Sequence, residues 1–260
     1  EAGGNALNFS ILAPDVASAW LVLEVHAGKV EAGQVSEQHQ LAPFKLAPSR
    51  HRTGPVWHVE LARPAPASGL RYGWLLDPPL EADGMPLASA PLVLDPCARA
   101  LDSACSALAW NRRGGCKYSP MAVVPDFGAL RAFDWEGVTL PGCHLKDLII
   151  YEAHVRSFTR HPDSGVSRWH SHAGTFLGLV EKIPHLLRLG VNCIELLPLF
   201  EFDETACPRI HPETQEPLCN YWGYHTAAYF APMQRFAANA AARVSAAALE
   251  FKTMVRELHR

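Results

Sequence analysis

Short apolar runs separated by Pro, Gly and Asp fill the first part of the chain. Strand-like runs of this kind occur at residues 8–12, 19–25, 56–61, 71–76 and 92–94. Short strands with frequent turn residues are typical of a β-sandwich, and no long amphipathic helix pattern interrupts them. The pattern therefore predicts an immunoglobulin-like β-sandwich over residues 1–112.

The pattern changes after a Gly- and Pro-containing stretch at 113–145, which we interpret as a linker. Residues 148–155 begin with an almost unbroken apolar run, which is typical of a strand covered on both faces. A helical stripe at 174–190 contains Pro184 and ends at Gly190, so we expect a kinked helix or two short ones. The strand predicted at 191–197 completes a βαβ unit, which requires parallel strands.

The end of the chain has a second helical pattern. Phe251, Met254, Val255 and Leu258 follow the spacing of one helix face, and Ser245 is placed to cap the helix start. We expect a further strand after such a helix, so residues 146–260 are interpreted as the first part of a larger α/β barrel.

Three aromatic rings flank a glycine in the segment Asn220–Tyr224, downstream of the second predicted barrel strand. Active-site loops of α/β barrels follow the carboxyl ends of strands, and flat rings there suit the faces of sugars. The segment is therefore a candidate carbohydrate-binding loop. A packed aromatic turn is the alternative interpretation.

Composition excludes several classes of function. The net charge of −3, without a cluster of Lys or Arg, argues against nucleic-acid binding. No run of eighteen apolar residues occurs, so no membrane-spanning helix is expected. The seven Cys are interpreted as mostly reduced structural thiols, with Cys207 and Cys219 as the pair to test for a disulfide. The chain opens at Glu1 without Met, so a piece of a longer product is expected.

Several segments together resemble a known family. Residues 9–14, 54–57, 72–74 and 94–96 are similar to the N-terminal glucan-binding-type module (carbohydrate-binding module family 48) of starch debranching enzymes. Residues 147–159 resemble the first barrel strand of these enzymes, 181–186 their first helix and 194–204 their second strand. With residues 221–224 added, the resemblance is to isoamylase, in the α-amylase superfamily (glycoside hydrolase family 13). The fold it implies is a β-sandwich followed by an incomplete (β/α)8 TIM barrel.

The resemblance implies hydrolysis of α-1,6 branch linkages in glycogen or amylopectin by a retaining mechanism. Motifs that carry the family's catalytic carboxylates are absent, so no catalytic residue is assigned and the chain alone is expected to be inactive. Tyr221 matches the family tyrosine that stacks on the sugar at the scissile bond, with Trp222, Tyr224, His225 and Asp203 as further substrate-binding candidates. No cofactor or metal is implied. The implied partner is a branched α-glucan, with homo- or hetero-oligomers of isoamylase subunits possible.

Other residues have two open interpretations each. Glu152 and His154 could support the site or contact substrate, Glu195 is expected to be an internal hydrogen-bond partner, and Asp203 and Glu204 could contact sugar hydroxyls or lie in a solvated loop. The tryptophans of the first region could form a glucan-binding face or belong to the core; they are Trp20, Trp57 and Trp74. A His-x-His pair at 170–172 is a weak candidate for metal binding.

A non-catalytic glucan-binding or regulatory isoamylase-like subunit is the rival hypothesis, and a metallohydrolase barrel is a weaker one. Reading the gene beyond Arg260 would distinguish an enzyme fragment from a non-catalytic subunit, since only the enzyme needs downstream catalytic motifs. The compartment expected is the plastid for a photosynthetic eukaryote and the cytoplasm otherwise.

Overall fold

The computed structural model describes residues 6–31, 34–62, 68–102, 120–166, 172–239 and 245–260, with the backbone alone for 25–31 and 34–40. Its strands are β1 Ala6–Leu12, β2 Ala19–Glu31, β3 Gln34–Lys45, β4 Arg52–Thr53, β5 Val56–Ala62, β6 Arg71–Leu76, β7 Ala122–Val123, β8 Ile150–Ala153, β9 Cys193–Leu196, β10 Phe200–Phe202 and β11 Thr226–Pro232. Its α-helices are α1 Pro48–His51, α2 Phe127–Arg131, α3 Val155–Arg160, α4 Phe176–Glu181, α5 Ile183–Arg188 and α6 Ala246–His259.

Two antiparallel sheets make up the first part of the chain. One has the strand order β1-β5-β4 and the other β3-β2-β6-β7. Alternate side chains of β1 are buried, as expected for a strand with one face on a core. Phe9 and Trp57 from the first sheet share that core with Leu21 and Trp74 from the second. The β-rich first part predicted from the sequence is therefore confirmed.

The tryptophans of this region are core residues. Trp57 and Trp74 are 0% exposed and Trp20 is 4% exposed. The hypothesis that they form a glucan-binding face is wrong in this structure, because a ring needs an accessible face to stack on a sugar. Their large apolar area is used in packing between and behind the sheets.

Three details of the sheets differ from the sequence interpretation. The long strand β3, paired with β2 from Trp20↔Lys45 onward, was not predicted. Residues 92–94 contribute only an isolated bridge between Val93 and Trp74. Strand β7 lies inside the predicted linker, yet it pairs with β6. The division at residue 112 stays a prediction.

The predicted βαβ unit is confirmed. Strands β8 and β9 pair in parallel, with Ile150 opposite Cys193 and Ala153 opposite Leu196. The intervening helix is split into α4 and α5, and Pro184 lies in the first turn of α5, where the missing N–H would have no helical partner anyway. Gly190 ends α5 in the left-handed conformation, and Val191 donates to the Leu186 carbonyl, as in a Schellman motif.

Helix α6 packs against this unit through the face predicted from its spacing. Met254 is buried with Val155, Phe176 and Phe236, and Phe251, Val255 and Leu258 pack against that cluster. Ser245 is the N-cap residue, but its side chain does not cap α6. Its hydroxyl instead accepts a hydrogen bond from the Asp126 backbone N–H at 2.9 Å. The expected cap is therefore replaced by a contact to the segment that precedes α2.

Candidate functional site

The aromatic loop at 220–225 lies between β10 and β11, which pair with each other. Asn220 fixes the loop. Its side-chain amide donates to the Tyr224 carbonyl at 2.6 Å, its side-chain oxygen accepts from the Gly223 N–H at 3.3 Å, and its backbone N–H donates to the Glu204 carbonyl at 2.7 Å. The sequence interpretation did not assign this role to Asn220, although Asn is a typical turn residue.

Gly223 allows the loop to approach β10 closely. Its φ is +85°, and a Cβ atom at this position would lie 2.7 Å from the Phe202 ring. His225 is a second residue of the loop with positive φ, at +69°. Because a residue with a side chain is strained in this conformation, tertiary contacts must hold the loop in its shape.

Three residues that follow β8 contact the Tyr221 side chain. The His154 ring stacks on the Tyr221 ring with 5.1 Å between centroids and 25° between planes. The Arg156 guanidinium carbon lies over the Tyr221 ring at 5.2 Å from its centroid, and the Ser157 hydroxyl donates to the phenol oxygen at 3.1 Å. The end of a parallel strand is thus joined to the aromatic loop.

His154 is held by its position at the start of α3. It is the N-cap residue, and its Nδ1 accepts from the Ser157 backbone N–H at 3.2 Å. Burial lowers the pKa of His154, and the positive charge of Arg156 lowers it further, against a raising effect of the Tyr221 backbone. Neutral imidazole is therefore favoured against the tyrosine ring.

Two glutamates lie at β10 in a less polar environment than water. Glu201 is 2% exposed and accepts a hydrogen bond from the Gln234 N–H at 2.8 Å. Burial raises its pKa to about 8. Burial also raises the pKa of Glu204, opposed by Arg235 at 2.5 Å and Arg156 at 3.8 Å. The charge of Glu204 is thus paired, whereas Glu201 favours its neutral form at pH 7.

The predicted substrate-binding residues occupy different environments. Tyr221 is half-buried, whereas Trp222, Tyr224 and His225 are exposed. Trp222 and Tyr224 are tilted neighbours with centroids 6.5 Å apart. One carboxylate oxygen of Asp203 accepts from both the N–H and the hydroxyl of Thr205, at 2.8 Å and 2.6 Å. The structure therefore uses Asp203 to shape the loop, and the accessible rings are those of the aromatic segment.

Other residues singled out in the sequence lie outside this constellation. Glu195 is exposed on β9 opposite Glu152, and its expected role as an internal hydrogen-bond partner stays a prediction. His172 contacts Glu181, while the other two residues of the His-x-His motif lie outside the described part of the chain. Cys207 and Cys219 are both free thiols.

Two open cavities border the C-terminal part of the chain. A cleft of about 1030 Å³ lies between the first sheet and helix α6, with Phe9, Phe200 and Phe251 among its lining residues. A groove of about 760 Å³ runs along β9, α5 and α6 and is lined by Ile194, Leu196 and other apolar side chains. The faces of parallel sheets are normally covered by helices or other layers of structure.

Within the ranges that the structure describes, no helix has the length and apolar character needed to cross a bilayer. The same residues contain no group of three or more His, Cys, Asp or Glu side chains arranged to hold a metal ion.

The sequence is similar to curated debranching enzymes over nearly its whole length. It is 37% identical over 263 residues to the chloroplastic isoamylase 3 of Oryza sativa subsp. japonica, covering 98% of this chain and 31% of that protein. It is 31% identical over 268 residues to the glycogen debranching enzyme of Serratia proteamaculans, covering 99% of this chain and 36% of that protein. The chain thus spans about a third of the length of these relatives. No family model matches it.

Solved structures support the same fold at lower identity. The pullulanase SAP of Group B Streptococcus superposes with a TM-score of 0.68 at 20% identity, covering 98% of this chain and 30% of that structure. The catalytic module of the pneumococcal glycogen-degrading protein SpuA gives 0.67 at 22% identity, covering 100% and 35%.

Proposed function

Because the chain belongs to the isoamylase-type debranching enzyme family of the α-amylase superfamily, we propose that it is part of a glycoside hydrolase that cleaves α-1,6 branch linkages of glycogen or amylopectin. In this proposal residues 1–112 form a glucan-binding-type sandwich and 146–260 the first part of a (β/α)8 barrel. The parallel pair β8 and β9 and the apolar groove beside it support an incomplete barrel.

The observation that carries the proposal is the position of the Tyr221 ring. It lies at the carboxyl end of β8, where barrel enzymes place substrate, and three neighbours fix its orientation. Tyr221 is half-buried, so the residue as a whole is not closed off from solvent. Trp222 and Tyr224 would extend the same wall, since both rings are exposed.

The role assigned to this chain depends on the environments of Glu201 and Glu204. A retaining mechanism needs a nucleophilic and an acid–base carboxyl group about 5 Å apart. Glu201 is buried and Glu204 is paired with two arginines, so neither has the accessible environment of a nucleophile. We therefore assign substrate binding to this chain and place both catalytic carboxylates outside it. Chloroplast names of the plant relatives favour a plastid for a photosynthetic source.

Substrate binding can be tested with the full chain. Affinity electrophoresis in gels that contain amylopectin should show retardation, and isothermal titration with maltohexaose should give the dissociation constant. Tyr221→Ala should weaken binding about 5- to 30-fold, because a stacked ring and its buried area contribute roughly 1–2 kcal/mol. Tyr229→Ala is the matched control, since this ring is 66% exposed on β11 and lies outside the loop.

Hydrolysis is tested on the same material. Incubation with amylopectin should release no new reducing ends, because the carboxylates that perform the reaction are assigned to another part of the protein. Debranching by the chain itself would contradict that assignment. Failure of the unmodified chain to bind maltohexaose or amylopectin would contradict the role of the loop.

A further inference from the structure

Arg156 joins two parts of the site that are distant in sequence. Its guanidinium carbon lies 5.2 Å from the Tyr221 ring centroid, and its Nη1 lies 3.8 Å from the Glu204 Oε1. Glu204 follows β10, whereas Tyr221 belongs to the aromatic loop and Arg156 to the first turn of α3. One side chain therefore contacts both the ring and the acidic group that lies beneath the loop.

We propose that Arg156 is a positioning residue for Tyr221: anchored by Glu204, its planar guanidinium holds the tyrosine ring in the orientation in which the proposed site presents it to a glucose residue. This role rests on the proposed function of the loop. Nothing in it requires Arg156 to touch the sugar.

The anchor for Arg156 is well defined. The other carboxylate oxygen of Glu204 is held by Arg235 at 2.5 Å, so the carboxylate has a fixed orientation before Arg156 meets it. The Glu204 side chain is only 12% exposed, which reduces screening of the pair by water. A guanidinium can lie flat on a ring and pair with a carboxylate at once, whereas an ammonium group has no such plane.

His154, which lies two residues before Arg156 in the sequence, also contacts Tyr221. Its ring stacks on Tyr221, and its neutral state is favoured by burial and by the charge of Arg156. Protonation of His154 would bring a second positive charge beside Arg156 and repel the guanidinium from its position over Tyr221. Arg156 should thus influence the pH dependence of glucan binding as well as its strength.

The charged and titratable groups around His154 are few. Arg156 and Ser157 face it from α3, Tyr221 faces it from the loop, and the apolar Phe236 ring contacts its edge. Glu204 is one step removed and acts through Arg156. Protonation of Glu204 in acid would also release Arg156. The variant Glu204→Gln is therefore needed to distinguish the effect of Glu204 on binding from that of His154.

The experiment compares Arg156→Met and Arg156→Lys in the full chain, with Arg188→Met as a control of equal charge change at an exposed position on α5. The probe is maltohexaose, titrated calorimetrically from pH 5 to pH 8. Arg156→Met should weaken binding about 5- to 10-fold at pH 7, and Arg156→Lys should restore it only in part. Arg188→Met should bind as the unmodified chain does.

The pH profile separates positioning from a general loss of structure. With Arg156→Met, the loss of affinity in acid should be smaller than in the unmodified chain, because a protonated His154 then faces no second positive charge. Glu204→Gln should weaken binding but keep the loss in acid, because Arg156 is still charged. These changes are read on variants whose circular dichroism spectrum matches that of the unmodified chain.

Two results distinguish failure of this role from failure of the proposed function. If the unmodified chain binds maltohexaose and Tyr221→Ala does not, while Arg156→Met and Arg156→Lys bind with unchanged affinity and pH profile, the positioning role is refuted and the function of the loop survives. If Arg156→Met does not fold, unchanged binding by Arg156→Lys refutes the positioning role equally. Absence of binding by the unmodified chain would remove both.

Discussion

Glu201 provides the sharpest test of the electrostatics of the site. It is 2% exposed, and one oxygen accepts a hydrogen bond from the Gln234 N–H. Burial raises its pKa from 4.5 to about 8, so the folded protein keeps a proton there that the unfolded chain releases. Glu201→Gln imitates the protonated side chain at every pH, because an amide oxygen can accept the same hydrogen bond.

The sign and size of the effect follow from proton linkage. Between pH 4.5 and pH 8 the folded state binds more protons at this site than the unfolded state, so stability falls as the pH rises. Once both states are ionised, the cost to the folded state approaches about 5 kcal/mol as an upper bound. Glu201→Gln should therefore gain stability relative to the unmodified chain as the pH increases, reaching roughly 2–4 kcal/mol at pH 9.

Urea unfolding followed by circular dichroism at pH 5, pH 7 and pH 9 measures this difference. Glu60→Gln, at an exposed position on β5, removes the same formal charge and serves as the control, with no expected trend. A Glu201→Gln variant that is less stable than the unmodified chain by the same amount at all three pH values would refute the reasoning. It would mean that the folded site holds the carboxylate in its charged form.

Two further substitutions test the loop and the core separately. Gly223→Ala should destabilise the chain by roughly 1–3 kcal/mol in urea unfolding and should weaken maltohexaose binding, because φ is +85° and the added Cβ would overlap the Phe202 ring. Unchanged binding would mean that the loop tolerates a shift away from β10. Trp57→Ala should lower the free energy of unfolding by about 3–5 kcal/mol, because the ring is fully buried. At low temperature the folded variant should bind maltohexaose normally. A specific loss of binding would restore the glucan-binding hypothesis for this residue.

Regular hydrophobic patterns made much of the fold predictable. The parallel pair β8 and β9 was indicated by two apolar runs around a helical stripe, and Pro184 and Gly190 marked the break and the end of that stripe. These signals act over a few residues and need no knowledge of distant contacts. Strand β3 was missed because 34–45 mixes Gln, Glu, Ser and His with few apolar positions, and its pairing with β2 is a tertiary outcome.

The candidate site was predictable in part for a related reason. Tyr221 was proposed from the aromatic segment and the resemblance, but the contacts around it involve α3, β10 and the loop, which are far apart in sequence. Nothing local distinguishes Arg156 from any other surface arginine. Its position directly after a strand of the proposed barrel was the available signal, since carboxyl ends of barrel strands carry functional residues.

The contacts that shape the aromatic loop do not depend on completion of a barrel. Asn220 bonds within the loop and to the Glu204 carbonyl, and Gly223 packs on Phe202 of the adjoining strand. Tyr221 is held by side chains that follow β8, whose parallel partner β9 is already in place. A binding surface built from such local and neighbouring contacts can form without further strands, whereas the groove along β9 is open among the described residues. In the proposed barrel, the loop should bind glucan weakly in this chain and more tightly in a longer one, because further strands would enclose the sugar on its remaining sides.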